Sequence, residues 1–166
     1  MMLLLCWMDA LQVNTMDKRI EILIAEDDEG HASLIKKNLR RAGITNQILH
    51  FKDGQEVLDF LFEKGEGPHC ESGKAYLLLL DIRMPRVGGV EVLEKVKADP
   101  ELCKIPVIML TTSDNPEEIE RCHLRGCNNY ITKPVEYDEF VKAVKYLGVF
   151  LTIVQVPSIR TRSELF

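Results

Sequence analysis

The sequence predicts an α/β fold: a doubly wound, five-stranded parallel sheet in strand order 2-1-3-4-5, with helices on both faces. Three observations predict it. Short apolar runs alternate five times with amphipathic stretches, and a (βα) alternation of this kind implies a parallel sheet between two helical layers. Tyr76 to Leu80 is five apolar residues in succession, as a strand buried on both faces requires. The first strand–helix turn reads Ala25-Glu-Asp-Asp-Glu-Gly30, without the G-x-G-x-x-G of a Rossmann half, and its acids would repel a pyrophosphate unless a cation intervened. The flavodoxin-like (βα)5 arrangement is then the simplest.

The elements follow in order. Ile20 to Ala25 is the first apolar run, and Glu29 to Ala42 has helical spacing at Leu34, Ile35 and Leu39. Gly43 is suited to stop that helix. Gln47 to Phe51 reads as the second strand. Asp53-Gly54 turns the chain into a helix with Val57, Leu58, Leu61 and Phe62 on one face. Gly65 to Lys74 is a polar loop before the third strand, Tyr76 to Leu80. Gly89 to Ala98 is a short helix with Val92, Leu93 and Val96 inward, and Pro106 to Leu110 is the fourth strand. Pro116 to Arg125 opens on proline and two glutamates, as helix N-termini prefer. Asn129 to Thr132 is the fifth strand, and the last helix begins at Tyr137.

Composition bounds the function classes. A chain of 166 residues, 46% apolar and 28% charged, is expected to form one globular domain. A net charge of -5 leaves no general basic surface for nucleic acid. The five cysteines are odd in number and form no C-x-x-C pair, which fits a reducing compartment rather than a disulfide framework. His69-Cys70 and Cys122-His123 with Cys127 suit no zinc spacing. The apolar run from Met1 to Met8 is too short to span a membrane and lacks the basic flank of a signal peptide. A soluble, cytoplasmic protein is expected, without membrane attachment. Residues 1–18 read as an N-terminal extension, 19–156 as the folded domain and 157–166 as a tail.

Sites in such sheets form at the carboxyl ends of the strands. Strand one ends at Glu26, Asp27 and Asp28, strand three at Asp81, strand four at Thr111 and Thr112, and strand five at Lys133. Clustered carboxylates repel one another unless a cation neutralises them, and oxygen ligands at a strand edge suit Mg²⁺. A lysine and a threonine beside them can hold phosphoryl oxygens. Metal, cationic clamp, hydroxyl and carboxylate nucleophile are the equipment of phosphoryl transfer. No His, Cys or Ser stands at these strand ends, which argues against acyl transfer.

Four motifs in order, Ile22-Leu-Ile-Ala-Glu-Asp-Asp28, Leu77-Leu-Leu-Leu-Asp-Ile-Arg-Met-Pro85, Pro106-Val-Ile-Met-Leu-Thr-Thr112 and Tyr130-Ile-Thr-Lys-Pro134, resemble those of the response-regulator receiver family from Glu21 to about Val154. Thr111-Thr112-Ser113 and the segment Val149 to Pro157 are similar to stand-alone receivers paired with phytochrome-type histidine kinases. The resemblance implies a single-domain response regulator in a two-component phosphorelay. Asp81 is then the phosphoacceptor and Asp27 a direct Mg²⁺ ligand, with Glu26 acting through water and Arg83 lending its backbone carbonyl. It further implies that Thr111 donates to a phosphoryl oxygen, that Lys133 pairs with Asp81 and then with phosphate, that Tyr130 reports activation and that Pro134 follows a cis bond. Asp28 is expected to cap the first helix instead. Gly88-Gly89 departs from the family, which often carries an acid before the glycine.

The chain is not expected to be an enzyme beyond self-catalysed phosphoryl transfer and dephosphorylation. The residues after Val156 are too few for a DNA-binding domain, so output is expected by protein contact or by passing the phosphoryl group onward. A Mg²⁺-dependent aspartyl phosphatase is the alternative of another class, but it would need a second acid where Arg83 stands. Phe140, Val144, Leu147 and Leu151 form a stripe facing the sheet, while Tyr146, Val149, Phe150 and Ile153 form a second on the opposite side. The second stripe predicts a homodimer through the last helix and C-terminal extension. Gly148 is expected either to lie within that helix or to end it and free Val149 to Val156 as an arm.

Overall fold

The structure, a computed structural model, describes residues 20–165. The strands are β1 (Ile20–Ala25), β2 (Ile48–Phe51), β3 (Ala75–Leu80), β4 (Val107–Thr111) and β5 (Asn129–Thr132). Between and after them lie α1 (Glu29–Arg41), α2 (Gly54–Leu61), α3 (Gly89–Ala98), α4 (Pro116–Leu124), α5 (Tyr137–Leu151) and α6 (Arg162–Leu165), with a 3-10 turn at Leu102–Lys104. All strand pairings are parallel and the order is β2-β1-β3-β4-β5, as the alternation of apolar runs predicts.

Side-chain alternation along the buried strands feeds two separate cores. Ile22, Ile24, Leu77, Leu79, Ile108 and Leu110 pack on one face with Ile35 and Leu39 of α1 and Phe140, Val144 and Leu147 of α5. Leu23, Leu78, Leu80, Val107 and Met109 pack on the other with residues of α2, α3 and α4. Burial on both faces explains why β1 and β3 are buried along their whole length and why their sequences show no polar alternation.

Helix ends are set by local chemistry. Asp28 and Asp53 cap α1 and α2 by accepting the amides of His31 and Glu56 at 2.8 and 2.9 Å, and Asn115 caps α4. α1 stops one residue before the expected Ala42, and Gly43 takes φ 88°, a left-handed value that costs a glycine little.

α5 continues through Gly148 to Leu151, so Val149 to Leu151 are helical and not the start of an arm. The reason lies in a neighbouring helix: a Cβ on Gly148 would stand 2.5 Å from Cβ of Ala42 at the end of α1. Close helix packing outweighs the roughly 1 kcal/mol propensity cost of glycine. Phe140, Val144, Leu147 and Leu151 are buried, while Tyr146, Val149, Phe150 and Ile153 stay exposed.

Beyond α5 the chain returns to its own domain. Ser158 bridges Ala75 in antiparallel fashion, Ile159 exchanges backbone hydrogen bonds with Gly73 and Lys74 at 2.8 and 2.9 Å, and the Ile159 side chain is buried. Among the described residues no helix is long and apolar enough to cross a membrane.

Candidate functional site

The carboxyl ends of β1, β3, β4 and β5 bring the predicted residues to one edge. The chain leaves β1 into Glu26, which is buried, then Asp27, which is exposed. Asp81 follows β3, and its Oδ1 accepts the amide of Ile82 at 2.8 Å. Thr111 closes β4 wholly buried, and the Ser113 amide lies 3.4 Å from its Oγ1. Lys133 follows β5, with its backbone amide on the Thr111 carbonyl at 2.6 Å. The backbones that carry Thr111 and Lys133 are therefore fixed to each other through the sheet.

The Lys133 ammonium is buried between two acids. It donates a hydrogen bond to Oε2 of Glu26 and lies 3.6 Å from Oδ2 of Asp81. The expected pairing with Asp81 is thus the longer of two, and Glu26 is the closer partner. Glutamate's extra methylene lets it cross to Lys133, whereas one oxygen of Asp81 is already engaged by the next amide. Burial pushes the Glu26 carboxyl above its ordinary value, Lys133 opposes that shift, and the neighbouring Asp81 adds to it.

Carboxylate oxygens of Glu26, Asp27 and Asp81 all lie within 4.8 Å of one another, and they are the one such grouping of three or more His, Cys, Asp or Glu among the described residues. Three acids against one buried ammonium leave negative charge to be neutralised. An all-oxygen set fits a hard divalent cation such as Mg²⁺ or Mn²⁺ better than a soft metal. Arg83, two residues past Asp81, exposes its side chain to solvent, so only its backbone is suited to join this set.

Tyr130 is half-buried and its hydroxyl donates to the Ser113 carbonyl at 2.9 Å. Burial pushes its phenol up to about 12. No cis peptide occurs among the described residues, so the Lys133–Pro134 bond is trans, the isomer that X–Pro bonds favour intrinsically by about 0.5–1 kcal/mol.

Two histidines also reach the site. His31, in the first turn of α1, places Nδ1 3.6 Å from Oε1 of Glu26. His50 puts a ring nitrogen 2.7 Å from the Glu26 carbonyl. A sequence signal existed for His50 alone: in the 2-1-3-4-5 order, strand two borders strand one, and His50 stands near its carboxyl end, paired with Ile24.

At Gly88-Gly89 the structure accounts for the second glycine. A Cβ at Gly89 would stand 2.0 Å from the backbone oxygen of Asp81, so α3 begins directly against the peptide of the candidate nucleophile. Gly88 is less confined, its nearest atom being the Ile82 oxygen at 3.3 Å.

An all-parallel sheet in this order, with acids, a hydroxyl and a lysine at its strand ends, defines a receiver-type signalling domain. The chain belongs to the response regulator receiver domain family, whose profile matches residues 22–145. A receiver domain from Rhodospirillum rubrum has a crystal structure 44% identical, with TM-score 0.79, covering 84% of this chain and 99% of that one. Response regulator Rcp1 of Synechocystis is 32% identical over 138 residues, 82% of this chain and 92% of that protein. Its Mn²⁺-bound crystal structure matches at TM-score 0.75 with 30% identity over 82% of this chain and 98% of that one. The phosphorylated cyanobacterial phytochrome response regulator RcpA matches at TM-score 0.74 with 30% identity, covering 83% and 98% of the two chains. The protein is therefore a response regulator receiver of two-component signalling.

Proposed function

We propose that Asp81 accepts a phosphoryl group from a histidine kinase, and that the modified domain signals by protein contact. The observation that carries this reading is Asp81 itself, beside the buried Lys133 ammonium and within one group of three carboxylates. A free Asp81 oxygen attacks the phosphorus of a phosphohistidine, the phosphorus–nitrogen bond breaks, and an acyl phosphate forms. Lys133 and the Thr111 hydroxyl take up charge on the phosphoryl oxygens. Asp27, Asp81 and the Arg83 carbonyl would hold Mg²⁺, with Glu26 acting through water, and the ion would neutralise charge between the incoming phosphoryl group and the acids. Rcp1 is known in a Mn²⁺-bound form, which supports a divalent cation here.

The likeness to RcpA, a phytochrome response regulator, supports a phytochrome-type kinase as the donor. Onward transfer to a further protein is the alternative use of the same acyl phosphate. A small-substrate phosphatase is disfavoured because Arg83 stands where a second acid would be required. Modification is self-catalysed, and the protein works in the cytoplasm as a homodimer through the exposed stripe of α5, without nucleic acid or membrane.

Intact-mass measurement after incubation with acetyl phosphate and Mg²⁺ tests the reading. One phosphoryl mass, removed by hydroxylamine and absent in Asp81→Asn, is expected. Equal labelling of the Asn variant would sink the assignment.

A further inference from the structure

The loop from Ile82 to Gly89 carries Arg83, and the neighbouring β2–α2 turn holds its far end. Asp53, buried at the start of α2, divides its carboxylate between two tasks. Oδ1 caps α2 on the Glu56 amide at 2.9 Å. Oδ2 accepts Arg86 Nε at 2.7 Å and lies 2.5 Å from Nη2 of the same guanidinium, so two nitrogens of the fork converge on one charged oxygen.

Arg86 is held in an unusual backbone. Its φ is 61°, and the Val87 amide reaches back to the Pro85 carbonyl at 2.8 Å. A three-residue turn with a positive central φ has the sign of the rare, strained form, and such a residue persists where its surroundings over-determine it. Two close approaches do so. A Cβ on Gly54 would stand 2.1 Å from the Val87 oxygen, so α2 rests directly on the Val87–Gly88 peptide, one residue past Arg86. At the near end, the Gly89 amide donates to the Ile82 carbonyl at 2.8 Å, closing the loop beside Asp81.

We propose that Asp53 and Arg86 form a latch that positions the Ile82–Gly89 loop, and through it the Arg83 carbonyl, for the divalent cation. They are positioning residues, and the inference rests on the cation site proposed above. Arg86 is more than half exposed in its side chain, so general screening of a surface pair would give little stability; its effect should appear in metal affinity.

Mn²⁺ binding to the full chain, followed by the electron paramagnetic resonance of free Mn²⁺, tests the latch without phosphorylation. Arg86→Met removes the guanidinium and leaves the stem. Asp53→Asn keeps an oxygen to cap α2 but loses the charged acceptor. Each is expected to weaken Mn²⁺ roughly tenfold, the usual scale for partners that orient a metal's ligands. The double variant should be no weaker than either single, and Arg86→Lys should recover part of the loss. Affinity unchanged in both singles, or losses that multiply in the double variant, overturns the latch. A parent that binds no Mn²⁺, or binds it equally after Asp27→Asn with Asp81→Asn, overturns the cation site and the latch with it. A parent that binds through those acids while the latch variants bind just as tightly overturns the latch alone.

Discussion

The Tyr130 hydroxyl donates to the Ser113 carbonyl at 2.9 Å, and the Ser113 amide lies 3.4 Å from Thr111 Oγ1. Ser113 therefore stands between the hydroxyl proposed to bind phosphate and the aromatic ring on β5. In the proposed phosphorylated state, a phosphoryl group that drew the Thr111 hydroxyl toward Asp81 would compete with the Ser113 amide, and movement there would loosen Tyr130, which would couple a local charge to the α4–β5–α5 side of the domain.

Tyr130→Phe is expected to lower unfolding free energy by about 0.5–1.5 kcal/mol, the net worth of one hydrogen bond, while leaving Asp81 labelling by acetyl phosphate intact. Alkaline stability should differ as well. The phenol is pushed up to about 12 by burial, above a free-tyrosine value of about 10. Its contribution is thus complete below the unfolded value and is lost as pH rises through the folded one. Urea melts of parent and variant across that window should converge toward high pH; a constant difference would show that Tyr130 is not the titrating group.

Among the described residues Lys133 is the sole ammonium bonded to Glu26, and it is buried. Lys133→Ala should destabilise the metal-free protein by about 3–5 kcal/mol, the usual cost of leaving a buried charge without its partner. Mg²⁺ should restore part of that loss by taking over the neutralisation, and Glu26→Gln in the same chain should reduce it. Urea denaturation with and without Mg²⁺ measures both. A loss that neither Mg²⁺ nor Glu26→Gln reduces would mean that lost packing, not charge, explains the defect.

The third test contrasts adjacent glycines. Gly89→Ala drives a methyl group to within 2.0 Å of the Asp81 oxygen, where overpacking should cost about 1–3 kcal/mol and slow Asp81 labelling. Gly88→Ala has ordinary backbone angles, φ -76° and ψ 160°, and should stay within about 0.5 kcal/mol of the parent. Thermal melts and labelling rates on the two variants check the contrast; equal effects would place the constraint elsewhere.

Legibility in the sequence tracked the kind of interaction. Unbroken apolar runs such as Tyr76 to Leu80 mark strands buried on both faces, so sheet order and strand-end residues could be read together. The cap at Asp28 was legible, because the N-cap is a one-residue preference. What was hidden depends on distant partners. Gly148 looks like a helix breaker until Ala42 of α1 is placed against it. The division of Lys133 between Glu26 and Asp81 depends on side-chain reach across the sheet. The residues after Val156 read as a polar tail because their anchoring to Gly73 and Lys74 is made by backbone groups, which no residue type reveals.

That anchoring makes the fourth prediction. Ile159 is the buried apolar side chain of the returning segment and packs into the core with residues of α2 and α3. Ile159→Ala should cost about 2–5 kcal/mol, as for other aliphatic core truncations, without changing Asp81 labelling of the folded protein. Chemical denaturation gives the loss; a cost under about 0.5 kcal/mol would show that the segment is dispensable.

The last prediction concerns the exposed stripe of α5. Tyr146, Val149, Phe150 and Ile153 are 73%, 57%, 41% and 69% exposed, on the side of the helix away from the buried Phe140, Val144, Leu147 and Leu151. Beside them Asn129, Ile131, Ala143, Tyr146, Leu147 and Phe150 line a shallow hollow of about 300 Å³. Contiguous exposed apolar surface of this kind marks a contact site, and a two-fold pair of identical chains covers it with one patch. Because the helix runs unbroken to Leu151, the stripe is presented as a rigid face. Phe150 lies in its last turn and Ile153 just beyond it, so charge at both should separate the pair without entering either core. Light scattering of the parent at tens of micromolar should give a dimer, and Phe150→Asp with Ile153→Asp should give a monomer that still accepts one phosphoryl group. A monomeric parent, phosphorylated or not, rules the dimer out. A dimer that withstands both charges places the interface on another face.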